Sequence, residues 1–191
     1  VTPTVTSLRE RKRGRVAVDL DGQPWRVLPA DAVVRAGLAV GRRLDRSTAR
    51  ELRRAKALAA AERSLAASDR SQRALEERLT RAGHSAAARE AALATLGHAG
   101  LVDDARLAES RAGVLARRGY GDAAIRADLR QRMIPAEVAA DAVAGLEPEL
   151  DRVRRLLRGE NVTPALLRRL AGRGFSGDTL EEVRASFAHE A

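Results

Sequence analysis

Arg46, Arg50, Arg53 and Arg54 follow one another at spacings of mostly three and four residues. On a helix that spacing places them along one stripe. A guanidinium presents a fixed fork of donors that pairs bidentately with carboxylate or phosphate. Arg9, Arg11, Lys12, Arg13 and Arg15 lie upstream and would widen the stripe into an anion-contacting surface. A second group is Arg117, Arg118 and Tyr120, the tyrosine standing in a corner between Gly119 and Gly121. Tyrosine is a frequent interface anchor, so Tyr120 either touches a partner or plugs a gap between neighbouring helical units. Arg46, Arg50, Arg53, Arg54, Arg117, Arg118 and Tyr120 are the candidate partner-binding residues.

Bond-making chemistry finds no such grouping. His84, His98 and His189 are far apart and lack the spacing of a helical metal site. No GxxxxGK[ST] phosphate loop and no GxSxG elbow occurs, and Gly119-Tyr120-Gly121 lacks the third glycine of a dinucleotide turn. Zero cysteines exclude disulfides, thiolate nucleophiles and thiolate metal sites, and fit a reducing cytoplasm. The adjacent Asp103 and Asp104 suit a helix N-terminus, where negative charge is favoured, better than a metal. The expectation is a binding protein, not an enzyme, with no catalytic residue, metal or cofactor.

The elements that must carry these residues follow from composition. The 191 residues include 39 alanines, close to half of the hydrophobic share, and only four aromatics. Alanine and leucine lead the helix scale, whereas strands favour β-branched and aromatic residues, so the chain reads as mainly helical. The net charge is +9, and residues 1–56 hold 14 of the 35 basic but only 6 of the 26 acidic residues. The positive excess therefore sits almost wholly in the N-terminal third. It suggests an anionic partner such as nucleic acid, an acidic protein face or a membrane surface. No apolar run approaches the roughly 18 residues of a membrane span. Residues 1–15 lack the apolar stretch of a secretory signal. A soluble cytoplasmic protein without membrane contact is expected.

Within residues 1–47, Val16, Val18 and Leu20 alternate with polar neighbours, Asp21-Gly22 is a two-residue turn signal, and Trp25 and Val27 alternate again. That predicts a β-hairpin over about 15–28 with these five residues on one apolar face. Pro29 to Ala36 reads as a short helix stopped by Gly37. Ser47-Thr48 reads as the cap of a long helix ending near Ala67.

The remaining chain repeats itself without gaps at offsets of 50 and 41 residues. Leu65 aligns with Leu115 and Leu156; Leu75 and Leu79 with Ile125 and Leu129, then Leu166 and Leu170; Leu96 with Leu146 and Phe187. Corners fall at 83–85, 133–135 and 174–176. Thr163-Pro164 and Asp122 are potential N-caps, and Gly83 and Gly174 potential C-terminal stops. The division is a basic segment over 1–47 and three-helix repeats over 48–102, 103–147 and 148–191. Units this short must stack to share a core, which predicts an elongated, curved array.

The run Gly100-Leu101-Val102-Asp103-Asp104-Ala105-Arg106-Leu107-Ala108, with Arg118-Gly119-Tyr120-Gly121 and Ile125 to Ile134, resembles the central repeat of the RecX regulatory proteins. The stretch from Arg70 through Leu75, Leu79 and Gly83, and Thr163 to Ser176, are similar to that family too. The likeness covers about residues 50–190. Leu107, Arg111, Ala74 and Met133 depart from it, the last standing where a glycine is usual. The resemblance implies a non-enzymatic modulator of the RecA recombinase. It implies binding to RecA monomers and the RecA–DNA filament, with inhibition of filament growth, ATP hydrolysis and strand exchange in DNA repair, recombination and the SOS response. A monomer meets this description. A basic helical protein acting directly on DNA is the alternative, since three-helix units resemble helix-turn-helix modules.

Overall fold

A computed structural model describes residues 2–158, 160 and 162–188. His189, one of the three histidines, lies outside the described residues, as does the side chain of Phe187. The chain forms two compact units that divide between Val102 and Asp103.

The first unit opens with three strands, β1 (Val5–Arg11), β2 (Arg15–Leu20) and β3 (Gln23–Pro29), in one antiparallel sheet of that order. The expected hairpin is β2–β3, and Asp21 and Gly22 turn it with φ of 48° and 80°, the left-handed pair such a turn demands. The expectation missed β1. Val5 is buried and Leu8 half-buried, but the other residues of this edge strand are polar, so it reads as a charged tail. The apolar face is also corrected. Val18 pairs with Arg26 while Asp19 pairs with Pro24, so Trp25 is an extra residue in a bulge. Parity flips there, leaving Val27 at 48% exposure and burying Leu28.

Two helices follow, α1 (Ala30–Arg35), stopped by Gly37 at φ 59°, and the long α2 (Arg46–Ala67). The cap of α2 is Asp45, not Ser47-Thr48. Its carboxylate accepts the Thr48 N–H at 2.8 Å and the Ser47 hydroxyl at 2.7 Å. The Thr48 hydrogen bond, with that of Ser47, holds this carboxyl at about 2. Leu52 and Ala55 of α2 close a core with Val5, Val16, Val18, Leu28, Ala32 and Val33. Beyond them α2 packs on α3 (Gln72–Arg81) and α4 (Ala86–His98), and Leu75, Leu79 and Leu96 bury against Ala61. Ala57, Ala88 and Ala92 form the α2–α4 contact, where small side chains let the helices approach.

Among the described residues the second unit has six helices: α5 (Asp104–Arg117), α6 (Asp122–Gln131), α7 (Ala136–Ala144), α8 (Glu149–Leu156), α9 (Pro164–Gly172) and α10 (Gly177–Ala188). The chain is thus mostly helical, with a small N-terminal sheet. The third helix of each consecutive set of three packs on the first, as α4 on α2, α7 on α5 and α10 on α8. Leu79, Leu129 and Leu170, aligned by the repeat, are 1%, 0% and 4% exposed. The alignment slips at the end of α8, where Leu157 is buried and Leu156 is 40% exposed.

Capping follows the sequence in part. Asp103 accepts the Arg106 N–H at 2.9 Å, and Thr163 accepts that of Leu166 at 3.2 Å. Asp122 does not cap α6; Gly121 holds that position and the Asp122 carboxylate is engaged elsewhere. Met133 takes φ 59° at the corner where Gly83 and Gly174 take 77° and 85°. A methionine there accepts a conformation that glycine adopts freely.

Candidate functional site

The α2 stripe lies on the surface of the first unit. Arg46, Arg50, Arg53 and Arg54 are all exposed, and none has an ion-pair partner among the described residues. Nearby carboxylates are already engaged. Glu51 faces Arg42 at 3.4 Å, Glu62 pairs with Arg35 at 2.8 Å, and Asp19 pairs with Arg9 at 2.9 Å. Arg50, Arg53 and Arg54 converge on one cleft of about 480 Å³, closed on its other side by Ser85, Ala87 and Ala88 at the start of α4.

The upstream basic residues divide between two settings. Arg9 is tied to Asp19 on the sheet, whereas Lys12, Arg13 and Arg15 turn the chain from β1 to β2 and line a separate depression with Asp31 and Arg63. Two half-buried titratable groups, Lys56 and His84, lie within reach of these cations. Burial, then Arg26 and Arg15, push the Lys56 ammonium down. Burial, then Lys56, Arg63 and Arg89, push the His84 imidazole down. Burial is the larger cause of both shifts, and the neighbouring cations add to it.

Arg117, Arg118 and Tyr120 stand in the second unit at the corner between α5 and α6, all exposed. Tyr120 is 40% exposed and its N–H closes α5 on the Leu115 carbonyl at 3.1 Å. Its carbonyl is held by Arg152, 2% exposed, which donates Nη1 to the Tyr120 carbonyl at 3.0 Å and Nε to the Glu147 carbonyl at 2.9 Å. The Arg152 Nη2 pairs with the Asp122 carboxylate.

Around this arginine the start of α6 and the α9–α10 corner meet backbone to backbone. The Gly121 N–H donates to the Arg173 carbonyl at 2.9 Å, and the Ala123 N–H to that of Gly174 at 3.1 Å. Glu149 bridges two helix starts, accepting the Asp122 N–H at 2.7 Å, the Ser176 N–H at 3.1 Å and the Thr179 hydroxyl at 3.0 Å. Burial opposes ionisation of Glu149, but these hydrogen bonds together outweigh it and hold its carboxyl below the usual range. None of this was legible beforehand. Arg152 lies in the charged run Asp151 to Arg155, which reads as a solvated face, and only the paired glycines 119/121 and 172/174 hinted at close approach.

A second polar cluster joins α5 to α6. Arg111 grips Asp128 with Nε to Oδ2 at 2.9 Å and Nη2 to Oδ1 at 2.8 Å, and Arg132 adds Nε to Oδ2 at 2.9 Å. The Arg111 hydrogen bonds, helped by Arg132 against burial, hold the Asp128 carboxyl below its ordinary value. A carboxyl that ionises more readily folded than unfolded stabilises the fold above its unfolded pKa, near 4, and loses that contribution as pH falls through the lower folded value. Urea midpoints should therefore drop as pH is taken from about 5 to about 3. Asp128→Asn should show a shallower drop, and an identical pH profile would remove Asp128 from the acid response.

Among the described residues no group of three or more His, Cys, Asp or Glu could hold a metal ion, and no helix is long and apolar enough to cross a membrane. Fold and surface together define a mostly helical protein in which three-helix sets follow a small N-terminal sheet in the sequence, with the α2 arginines exposed and without an ion-pair partner among the described residues. Residues 103–143 match the family model described as the second three-helix domain of RecX. The regulatory protein RecX of Acidithiobacillus ferrooxidans is 36% identical over 133 residues, spanning 63% of this chain and 83% of that protein. That of Mycobacterium leprae is 33% identical over 139 residues, 63% of this chain and 79% of its own. A crystal structure of regulatory protein RecX superposes with a TM-score of 0.61 at 21% identity, covering 96% of this chain and 99% of that one. The RecX structure from Lactobacillus salivarius gives a TM-score of 0.60 at 17% identity, over 70% and 96% of the two chains. The chain belongs to the RecX family of regulatory proteins.

Proposed function

We propose that this chain regulates the RecA recombinase by binding RecA and its DNA filament, and that binding mainly inhibits. Filament growth, ATP hydrolysis and strand exchange are the processes it restrains, in the cytoplasm, during DNA repair and recombination. It acts as a monomer without catalysing a reaction and without a cofactor. The segments 48–102, 103–147 and 148–191 serve as consecutive contact modules, and Arg46, Arg50, Arg53, Arg54, Arg117, Arg118 and Tyr120 are the partner-facing residues. The observation that carries the reading is RecX family membership, and the unpaired arginines support it, being free to meet carboxylate or phosphate.

The test is the DNA-dependent ATPase of RecA, followed with strand exchange as this protein is added. Suppression at or below one equivalent is the expected result, and unchanged rates at a large excess would overturn the reading. A direct action on nucleic acid is the second reading, favoured by the arginine cleft of α2. It predicts DNA binding with no recombinase present.

A further inference from the structure

One face of α2 changes character along its length. Arg46, Arg50 and Arg53 occupy it first, and Ala57, Ala61 and Ser64 continue it at three- and four-residue spacing. All three of the later residues are buried, Ala57 against α4 and Ala61 against α3 and α4. The arginine half stays uncovered because α4 starts only where the alanines begin. The start of α4 is therefore the far wall of the cleft, and Arg50, Arg53 and Arg54 are the near one.

No acidic residue lines that cleft. Three like charges facing one space repel one another, and a cleft walled by one sign of charge concentrates its field on whatever anion enters. The Ser85 side chain does not cap α4, so the opening amides of that helix add donors to the same wall. Arg46 continues the stripe beyond the cleft, and from Arg46 to Arg54 the helix runs about 12 Å. A single carboxylate needs one fork; a basic track of this length fits a ligand with charges repeated along it.

Taking the α2 stripe as a partner-facing surface, as the proposed function does, we propose that the α2–α4 cleft seats a backbone phosphate of a nucleic-acid strand, held by Arg50, Arg53 and Arg54. Arg46 carries the strand onward. The contact reads no bases, since arginine pairing with phosphate oxygens positions a strand without selecting its sequence.

The test uses the full chain and a fluorescein-labelled thirty-nucleotide oligothymidylate, with anisotropy read across a salt titration. Arg50→Gln, Arg53→Gln and Arg54→Gln together should weaken binding at least tenfold. They should also lower the slope of log K against log salt by about 0.7, the contribution of one phosphate contact on a single strand. Arg130→Gln, Arg168→Gln and Arg169→Gln together, three exposed arginines outside the partner-facing set, should leave affinity and slope close to wild type. Saturating oligonucleotide should raise the His84 titration midpoint in the wild type and not in the α2 variant, with melting temperatures equal. Unchanged affinity and slope in the α2 variant would overturn the inference, as would an equal loss in the control variant. RecA ATPase assays on the same proteins separate the two readings. An α2 variant that still binds oligonucleotide but no longer inhibits RecA would assign the cleft to the recombinase and overturn the phosphate seat alone. Lost oligonucleotide binding with inhibition retained supports the phosphate seat and leaves the regulatory reading standing.

Discussion

Gly121→Ala is expected to lower the melting temperature of the 103–191 unit by roughly 10–20 °C. A Cβ built on Gly121 would lie 2.2 Å from the Phe175 nitrogen and 2.3 Å from the Gly174 carbon and oxygen. Those are backbone atoms, so no rotamer change can make room. The start of α6 must draw away from the α9–α10 corner, stretching the Gly121–Arg173 and Ala123–Gly174 hydrogen bonds and the Glu149 bridge. Overpacking of this kind costs about 3 kcal/mol, and a unit of this size melts several degrees earlier for each kcal/mol. Gly174→Ala should act similarly, because its Cβ would lie 2.4 Å from the Ala124 nitrogen and its φ of 85° adds strain. Gly172→Ala is the control, with open space at its Cβ. Calorimetry decides, and equal melting of Gly121→Ala and Gly172→Ala would mean that the two helix corners do not meet as closely as described.

That seam marks where the sequence stops being legible. The repeat alignment found Leu75, Leu79, Ile125, Leu129 and Leu170 because each is the buried apolar member of an amphipathic helix, and periodicity reports burial directly. It found Asp103 and Thr163 because a cap bonds to residues a few places away. It missed what depends on distant partners. β1 contributes few apolar residues, so nothing in its own composition distinguishes it from a tail, and pairing with β2 alone makes it a strand. The Trp25 bulge moved Leu28 inward and Val27 outward, a parity change that strict alternation does not show. The arginine stripe was visible as spacing, but the cleft was not, because its other wall, Ser85 to Ala88, lies more than thirty residues away. Arg111 and Asp128 are likewise seventeen residues apart, and neither betrays the other.

Arg152→Ala should cost about 3 kcal/mol, the low end for breaking a buried ion pair, because Asp122 keeps some contact with water. The side chain is 3% exposed and makes three separate connections, to the carbonyls of Tyr120 and Glu147 and to the Asp122 carboxylate. Truncation leaves a cavity lined by two carbonyls and a carboxylate that lose their donor together. Arg155→Ala, three residues on, is the contrast. Its partner is also an acid, Glu147, but the pair is about half exposed and should contribute under about 1 kcal/mol. Arg152→Lys should recover only part of the loss, since an ammonium cannot present the planar fork that reaches three acceptors at once. Combining Arg152→Ala with Asp122→Asn should cost less than the sum of the two, because the second change removes the charge that the first left unpaired. Denaturant unfolding of the five variants, Asp122→Asn alone included, measures each step. Arg152 also holds the Tyr120 carbonyl, so under the partner-facing role proposed for Tyr120, Arg152→Ala should weaken partner binding more than Arg155→Ala does. Equal stability losses for Arg152→Ala and Arg155→Ala would show that Arg152 is solvated in the folded chain, and the anchor of the Tyr120 carbonyl would have to be sought elsewhere.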